Sequence, residues 1–111
     1  MVTNMITFDD FKKLEIRIGK VISAERVPEA SKLIRFIFDF GNEQRQIMAG
    51  IAEVVDDPAK LVGQEMPVLV NLEPRKLRGY ESQGMILAAD ADGRPVLLHP
   101  EREVPPGSAV R

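Results

Sequence analysis

Apolar and polar residues alternate along much of this chain. The clearest run is Ile34, Phe36, Phe38 and Phe40 on one face, with Arg35, Ile37 and Asp39 on the other. A period of two predicts a half-buried strand. Gly41-Asn42 follows in the order of a tight hairpin. Glu43 to Ile51 is then the return strand, with Arg45, Ile47, Ala49 and Ile51 on one face, antiparallel to its neighbour. An earlier strand runs from Ile16 through Ile18 to Val21-Ile22, and Gly19 inside it predicts a bulge or bend. Glu65 to Leu72 is a fourth strand, with Met66, Val68, Val70 and Leu72 pointing one way, and Pro67 predicts that it is an edge or ends there. Ser82 to Ala89 is a fifth and Pro95 to Leu98 a short sixth.

Two helical signals interrupt the strands. Thr7 and Asp10 form the spacing of a capping box, and Phe8, Phe11 and Leu14 then share a helical face. Asp56-Asp57-Pro58 reads as a helix start, with Leu61 and Gly63 at its end. Pro100, Pro105, Pro106 and Gly107 make the tail an extended wrap. Five main strands, a bent first strand and a short helix between strands three and four describe an all-β chain, an OB-fold five-stranded Greek-key barrel with short helices and flanking extensions. SH3-like barrels share much of this pattern. Nothing divides the chain, so residues 1–111 read as one domain.

Composition narrows the function. There are 111 residues, 44% hydrophobic and 29% charged, as in a globular domain. The absence of cysteine removes disulfides, thiol nucleophiles and cysteine metal sites. His99 is the only histidine, so no multi-histidine metal site is expected, and no metal or cofactor. No apolar run reaches the ~18–20 residues of a membrane span. The N-terminus carries Asp9 and Asp10 and lacks the order of a signal peptide, so a cytoplasmic protein with no membrane partner is expected. The net charge of −2 is spread evenly: residues 1–55 hold eight bases and eight acids, and residues 56–111 hold seven and nine. Any nucleic-acid surface must therefore be a local patch.

Catalytic signatures are missing. No acid pair has the spacing of a dyad, and His99 before Pro100 reads as a packing or surface residue. Glu81-Ser82-Gln83-Gly84 lacks the first glycine of a nucleophile elbow, and neither phosphate-binding glycine motif occurs. No catalytic residue is expected. The informative stretch is Asn71 to Leu87, which joins the fourth and fifth strands and holds Arg75, Lys76 and Arg78 behind Pro74. OB barrels bind nucleic acid with that loop and with the one between strands one and two, here Pro28 to Leu33 with Lys32. Arginine forks fit phosphate. A solvated charged turn explains the same cluster equally well by composition. Tyr80 either stacks a base or packs, Arg35, Arg45 and Gln46 are open to surface or binding roles, and alternation alone favours a core position for Met85.

These residues resemble a known family. The matching pieces are Phe11 with Leu14 to Val21, Ala30-Ser31-Lys32-Leu33, Asp39-Phe40-Gly41, Arg45 to Ala52, Leu61-Val62-Gly63, Asn71 to Gly79, and Glu81 to Ala89. In that order they resemble the structure-specific tRNA-binding domains: the C-terminal domain of bacterial methionyl-tRNA synthetases, its free-standing homologues, and the endothelial monocyte-activating polypeptide domain. The resemblance covers about residues 8–98. It implies an OB fold, a homodimer, and binding of tRNA by shape, without reading the anticodon. It also implies an accessory role beside a methionyl-tRNA synthetase catalytic subunit. By position it implies tRNA contacts from Lys32, Arg35, Asn71, Arg75, Lys76, Arg78, Ser82, Gln83 and Met85, and so reverses the preference at Met85. The family's secretion-chaperone relatives lack the Ser-Gln-Gly-Met run, which leaves peptide binding as the alternative. A purely dimerising role is a third. The Met1 start and short length are expected of a free-standing protein.

Overall fold

The computed structural model describes residues 4–111. Its first element is α1 (Phe8–Lys12), closed by the capping box: Asp10 N–H donates to Thr7 Oγ1 at 3.1 Å, and Thr7 N–H to Asp10 Oδ2 at 3.2 Å. Five strands then build the main sheet: β1 (Ile16–Val27), β2 (Ala30–Asp39), β3 (Gln44–Ala49), β4 (Glu65–Leu69) and, later in the chain, β7 (Met85–Ile86), in the order β3-β2-β1-β4-β7, all antiparallel. Between β3 and β4 lie two 3₁₀ turns, Ala52–Val54 and Pro58–Leu61. The second stands where Asp56-Asp57-Pro58 predicts a helix, with the Asp57 carboxylate accepting from Ala59 N–H.

β1 is long because it serves two partners. Ile16 to Lys20 pair with β4, and Lys20 to Val27 pair with β2. The bend is not at Gly19, as the sequence predicts, but at the register shift between Val21 and Ser23, where Ile22 is the extra residue. Gly19 answers a different need. A Cβ there would stand 2.8 Å from the rings of Phe38 and Phe40, so glycine admits the aromatic core. That core is the apolar face of the alternation: Ile34, Phe36, Phe38, Ile47, Met66 and Val68 are all fully enclosed.

Pro67 also departs from expectation, since β4 lies between β1 and β7. Its partner Ile18 turns its N–H and C=O away, donating to Ser108 O and accepting from Gly107 N–H. Proline therefore forfeits no bond to β1. β4 also stops at Leu69, and Leu72, expected on its inner face, is partly exposed.

The predicted fifth strand is broken into pieces. β5 (Arg75–Leu77) and β6 (Tyr80–Ser82) form a hairpin where a loop is expected, β7 follows Gly84, and β8 (Ala88–Ala91) pairs with β9 (Arg94–Leu97). The tail wraps as predicted, ending in β10 (Ala109–Val110) against β1.

Candidate nucleic-acid interface

Gly84, at φ +151, turns the chain out of the ladder, and the gap beside β3 is bridged by one backbone bond and several from side chains. Gln83 N–H donates to Gln46 O at 2.8 Å, and Gln46 N–H donates to Gln83 Oε1 at 3.0 Å. Met48 N–H donates to Ser82 Oγ at 3.0 Å, and that hydroxyl donates to Gly84 O at 2.9 Å. Gln46 Nε2 reaches Glu81 O at 2.8 Å. Arg45 Nη1 adds a bond of 2.6 Å to Val70 O. These contacts bring the sheet round on itself.

Outside that seam is a second apolar cluster. Val27, Ala30 and Met48 are buried, and Leu33, Leu77 and Tyr80 pack on them. This cluster fastens the β5–β6 hairpin to the turn between β1 and β2. The hairpin reverses at Arg78 and Gly79, both left-handed at φ 54 and 87, the two-residue geometry that suits strand twist. Lys76, Arg78 and Lys32 consequently line one shallow groove of about 430 Å³ whose floor includes Ala30, Leu33 and Leu77. Arg75, Lys76, Arg78 and Lys32 are exposed, and among the described residues no ion pair engages them. Three uncompensated cations thus converge on the groove from two loops that are more than 40 residues apart in sequence, and Arg75 stands exposed on the same hairpin.

The other expected contacts stand differently. Arg35 is held on β2, its Nε donating to Gln46 Oε1 at 2.7 Å and its Nη1 to Glu25 at 2.8 Å. Asn71 lies away from the groove: its side chain accepts from Glu15 N–H at 2.8 Å and donates to Lys13 O at 2.7 Å, tying the end of α1 to the barrel. Ser82 is 1% exposed, with its hydroxyl occupied on both sides. A group so placed reaches no ligand unless the seam opens. Gln83 is half-buried in the same seam. Met85 is 39% exposed, away from the core position that strand alternation favours. Tyr80 packs in the second cluster, with its hydroxyl 3.5 Å from Glu29. Sequence reasoning missed the seam and the second cluster, because both join residues from separate elements far apart in sequence.

The opposite edge of β1 carries paired charges. Arg17 Nε meets Glu15 at 2.6 Å and its Nη1 donates to Gly107 O at 2.8 Å. Lys20 Nζ meets Glu103 at 2.9 Å. That hydrogen bond, reinforced by the two charges, holds the Lys20 ammonium above the usual lysine range and the Glu103 carboxyl below the usual carboxylate range. Glu65 Oε1 accepts from Val104 N–H at 2.9 Å, and His99 Nδ1 lies 2.8 Å from Glu65 O, so the histidine packs the tail. Among the described residues no cluster of acids and histidine has the arrangement of a metal site, and no helix is long and apolar enough to cross a membrane.

Comparison with known proteins agrees with this architecture. Residues 16–109 match the family described as "Putative tRNA binding domain". The chain is 55% identical over 105 residues to a methionine–tRNA ligase of Archaeoglobus fulgidus, covering 95% of this chain and 16% of the ligase. Its fold superposes on a methionyl-tRNA-synthetase-related protein of Pyrococcus horikoshii with a TM-score of 0.92, at 39% identity, covering 98% of this chain and all of that one. The chaperone CsaA of Bacillus anthracis follows with a TM-score of 0.86 and 34% identity, covering 97% of this chain and all of the chaperone. The family match over residues 16–109 and the agreement in fold over nearly the whole chain make this chain a member of the tRNA-binding domain family.

Proposed function

We propose that residues 1–111 act as one non-catalytic unit that binds tRNA and raises the tRNA affinity of a methionyl-tRNA synthetase, as an appended domain or a separate subunit. The observation that carries this reading is the groove between the β1–β2 turn and the β5–β6 hairpin, where Lys32, Lys76 and Arg78 stand without acidic partners, with Arg75 exposed and unpaired on the same hairpin. Phosphate is the ligand that such donors suit, and recognition through phosphates follows the shape of an RNA more than its sequence. Met85 offers an apolar contact beside the groove, Arg35 offers a further cation on β2 where Gln46 and Glu25 hold it, and Ser82 and Gln83 act as positioning residues that hold the hairpin on β3. Asn71 acts similarly on α1. The synthetase relatives support the partner, because the chain spans only 16% of the length of the first of them. A role in aminoacylation places the protein with the cytoplasmic tRNA pool.

The reading includes a homodimer. Phe8 is 73% exposed, and with Phe11, Leu14, Ile16 and Val110 it borders an apolar hollow between α1 and β10. A second copy covering that patch would place two basic grooves on one assembly and give avidity. Sedimentation at micromolar concentration should find twice 12.4 kDa, and a species of only 12.4 kDa would remove the dimer from the account.

Peptide capture is the second reading, supported by the likeness to CsaA. One filter-binding titration separates the two, using bulk tRNA, a DNA duplex and a denatured protein. tRNA should bind best, and its binding should fall steeply with salt as counterions are released. Preferential binding of the denatured protein, insensitive to salt, would favour the chaperone.

A further inference from the structure

Beside the phosphate groove lies a second, more apolar hollow of about 290 Å³. Its walls include Met48, Leu77, Met85 and Leu97, with Gly50 at the end of β3 and Arg75 at the rim. Leu77 borders both hollows, so a strand of nucleic acid lying along the hairpin passes from one to the other. The volume is at the lower end of small-ligand sites, roughly 300 Å³.

OB barrels that bind single strands stack bases on aromatic side chains. This surface has no such platform to offer. Phe36, Phe38 and Phe40 are buried in the barrel, Phe8 and Phe11 border the hollow beside β10, and Tyr80 is packed under the hairpin. The apolar area next to the cations is supplied instead by Met85, which is exposed. Arg75 has no acidic partner, so its planar guanidinium is free to lie against a base or to bond a phosphate. Along β3 the N–H groups of Gln46 and Met48 point to the seam, where Gln83 and Ser82 accept them. Gly50 is next in that alternation, and its N–H has no backbone partner among the described residues. An acceptor on a base edge would suit it.

Resting on the tRNA-binding reading, we propose that this hollow receives one unstacked nucleobase of the bound RNA, between Met85 and Arg75, while the neighbouring cations hold the flanking phosphates. The domain would then select folded RNA that presents an extruded base at a set distance from a phosphate track, and would bind plain duplex less well.

The test uses the full chain and three RNA hairpins: one with a single bulged adenosine, one with an abasic residue at the same bulge, and one fully paired. The bulged hairpin should bind roughly tenfold tighter than the other two, within the range that one stacked base contributes. Gly50→Leu should abolish that difference by filling the hollow. A Cβ at Gly50 meets only Lys32 O, at 3.9 Å, so the backbone there accepts a side chain. Met85→Ala gives an independent check, with a loss of several-fold. Both variants should keep the salt slope of the parent, because neither removes a phosphate contact. If the parent binds all three hairpins equally, yet still binds tRNA with a steep salt slope, the nucleobase site is refuted and the tRNA reading stands. If tRNA binding itself shows no salt dependence, both fail together.

Discussion

Two edges of this molecule carry cations at similar density, and they are built oppositely. Along the C-terminal wrap, Arg17 and Lys20 each have an acid within 3 Å, and Arg17 also donates to a backbone carbonyl. On the β5–β6 hairpin, three cations occupy four positions and none has an acidic partner among the described residues. The first set fastens the tail to β1. The second leaves its field unneutralised at the mouth of a groove. A net charge of −2 hides this difference completely. Pairing, more than count, separates cations that hold the protein from cations available to a ligand.

The contrast breaks most visibly if the hairpin is stripped. Arg75→Ala, Lys76→Ala and Arg78→Ala together should nearly abolish tRNA binding in filter assays. Stability in a urea titration should change by no more than ~0.5 kcal/mol, as for exposed positions generally. A triple variant that binds like the parent would make the hairpin a solvated turn. Ser82→Ala should do the reverse. It strands Met48 N–H and Gly84 O in the seam and should cost about 1–3 kcal/mol in the same titration. The folded fraction should still bind tRNA, more weakly because the hairpin is less firmly placed. Unchanged stability would show that the seam does not depend on this hydroxyl.

The smallest effect belongs to the wrap. Glu103 titrates below the usual carboxylate range because Lys20 bonds its charged form. A depressed carboxylate contributes stability above its unfolded value and loses it as pH falls through the folded value. Glu103→Gln should therefore be slightly less stable than the parent at neutral pH and equal to it in acid, by thermal melting at several pH values. The pair is at the surface, so high salt should narrow the gap too. A gap that widens in acid would reverse the sign and refute the assignment.

Local rules carried the reading of the sequence a long way. The Ile34–Phe40 alternation, the Thr7–Asp10 capping box, the Asp57-Pro58 turn and the extended tail are all where neighbouring residues place them. The misses share one cause. Pro67 is tolerated inside the sheet because of how Ile18 pairs with residues 107 and 108. Ser82 and Gln83 close the seam against residues 34 to 37 positions away. The Arg78 turn uses a left-handed arginine, which propensity discourages, and tertiary packing through Leu77 and Tyr80 holds it. The cations of the site were legible as a cluster. Lys32 beside them follows from the two loops of an OB barrel sharing one edge, as expected; that the Asn71 and Ser82 side chains are engaged by other parts of the fold depends on long-range contacts that no local pattern encodes.

The central claim is that unpaired cations, and not paired ones, meet the nucleic acid. The salt dependence of tRNA binding tests it most directly, compared across single variants. Arg75→Ala, Lys76→Ala and Arg78→Ala should each lower the slope of log affinity against log salt by about 1, whereas Lys20→Ala should leave the slope of the parent unchanged. Equal reductions at Lys20 and on the hairpin, or none at any of the four, would contradict the account.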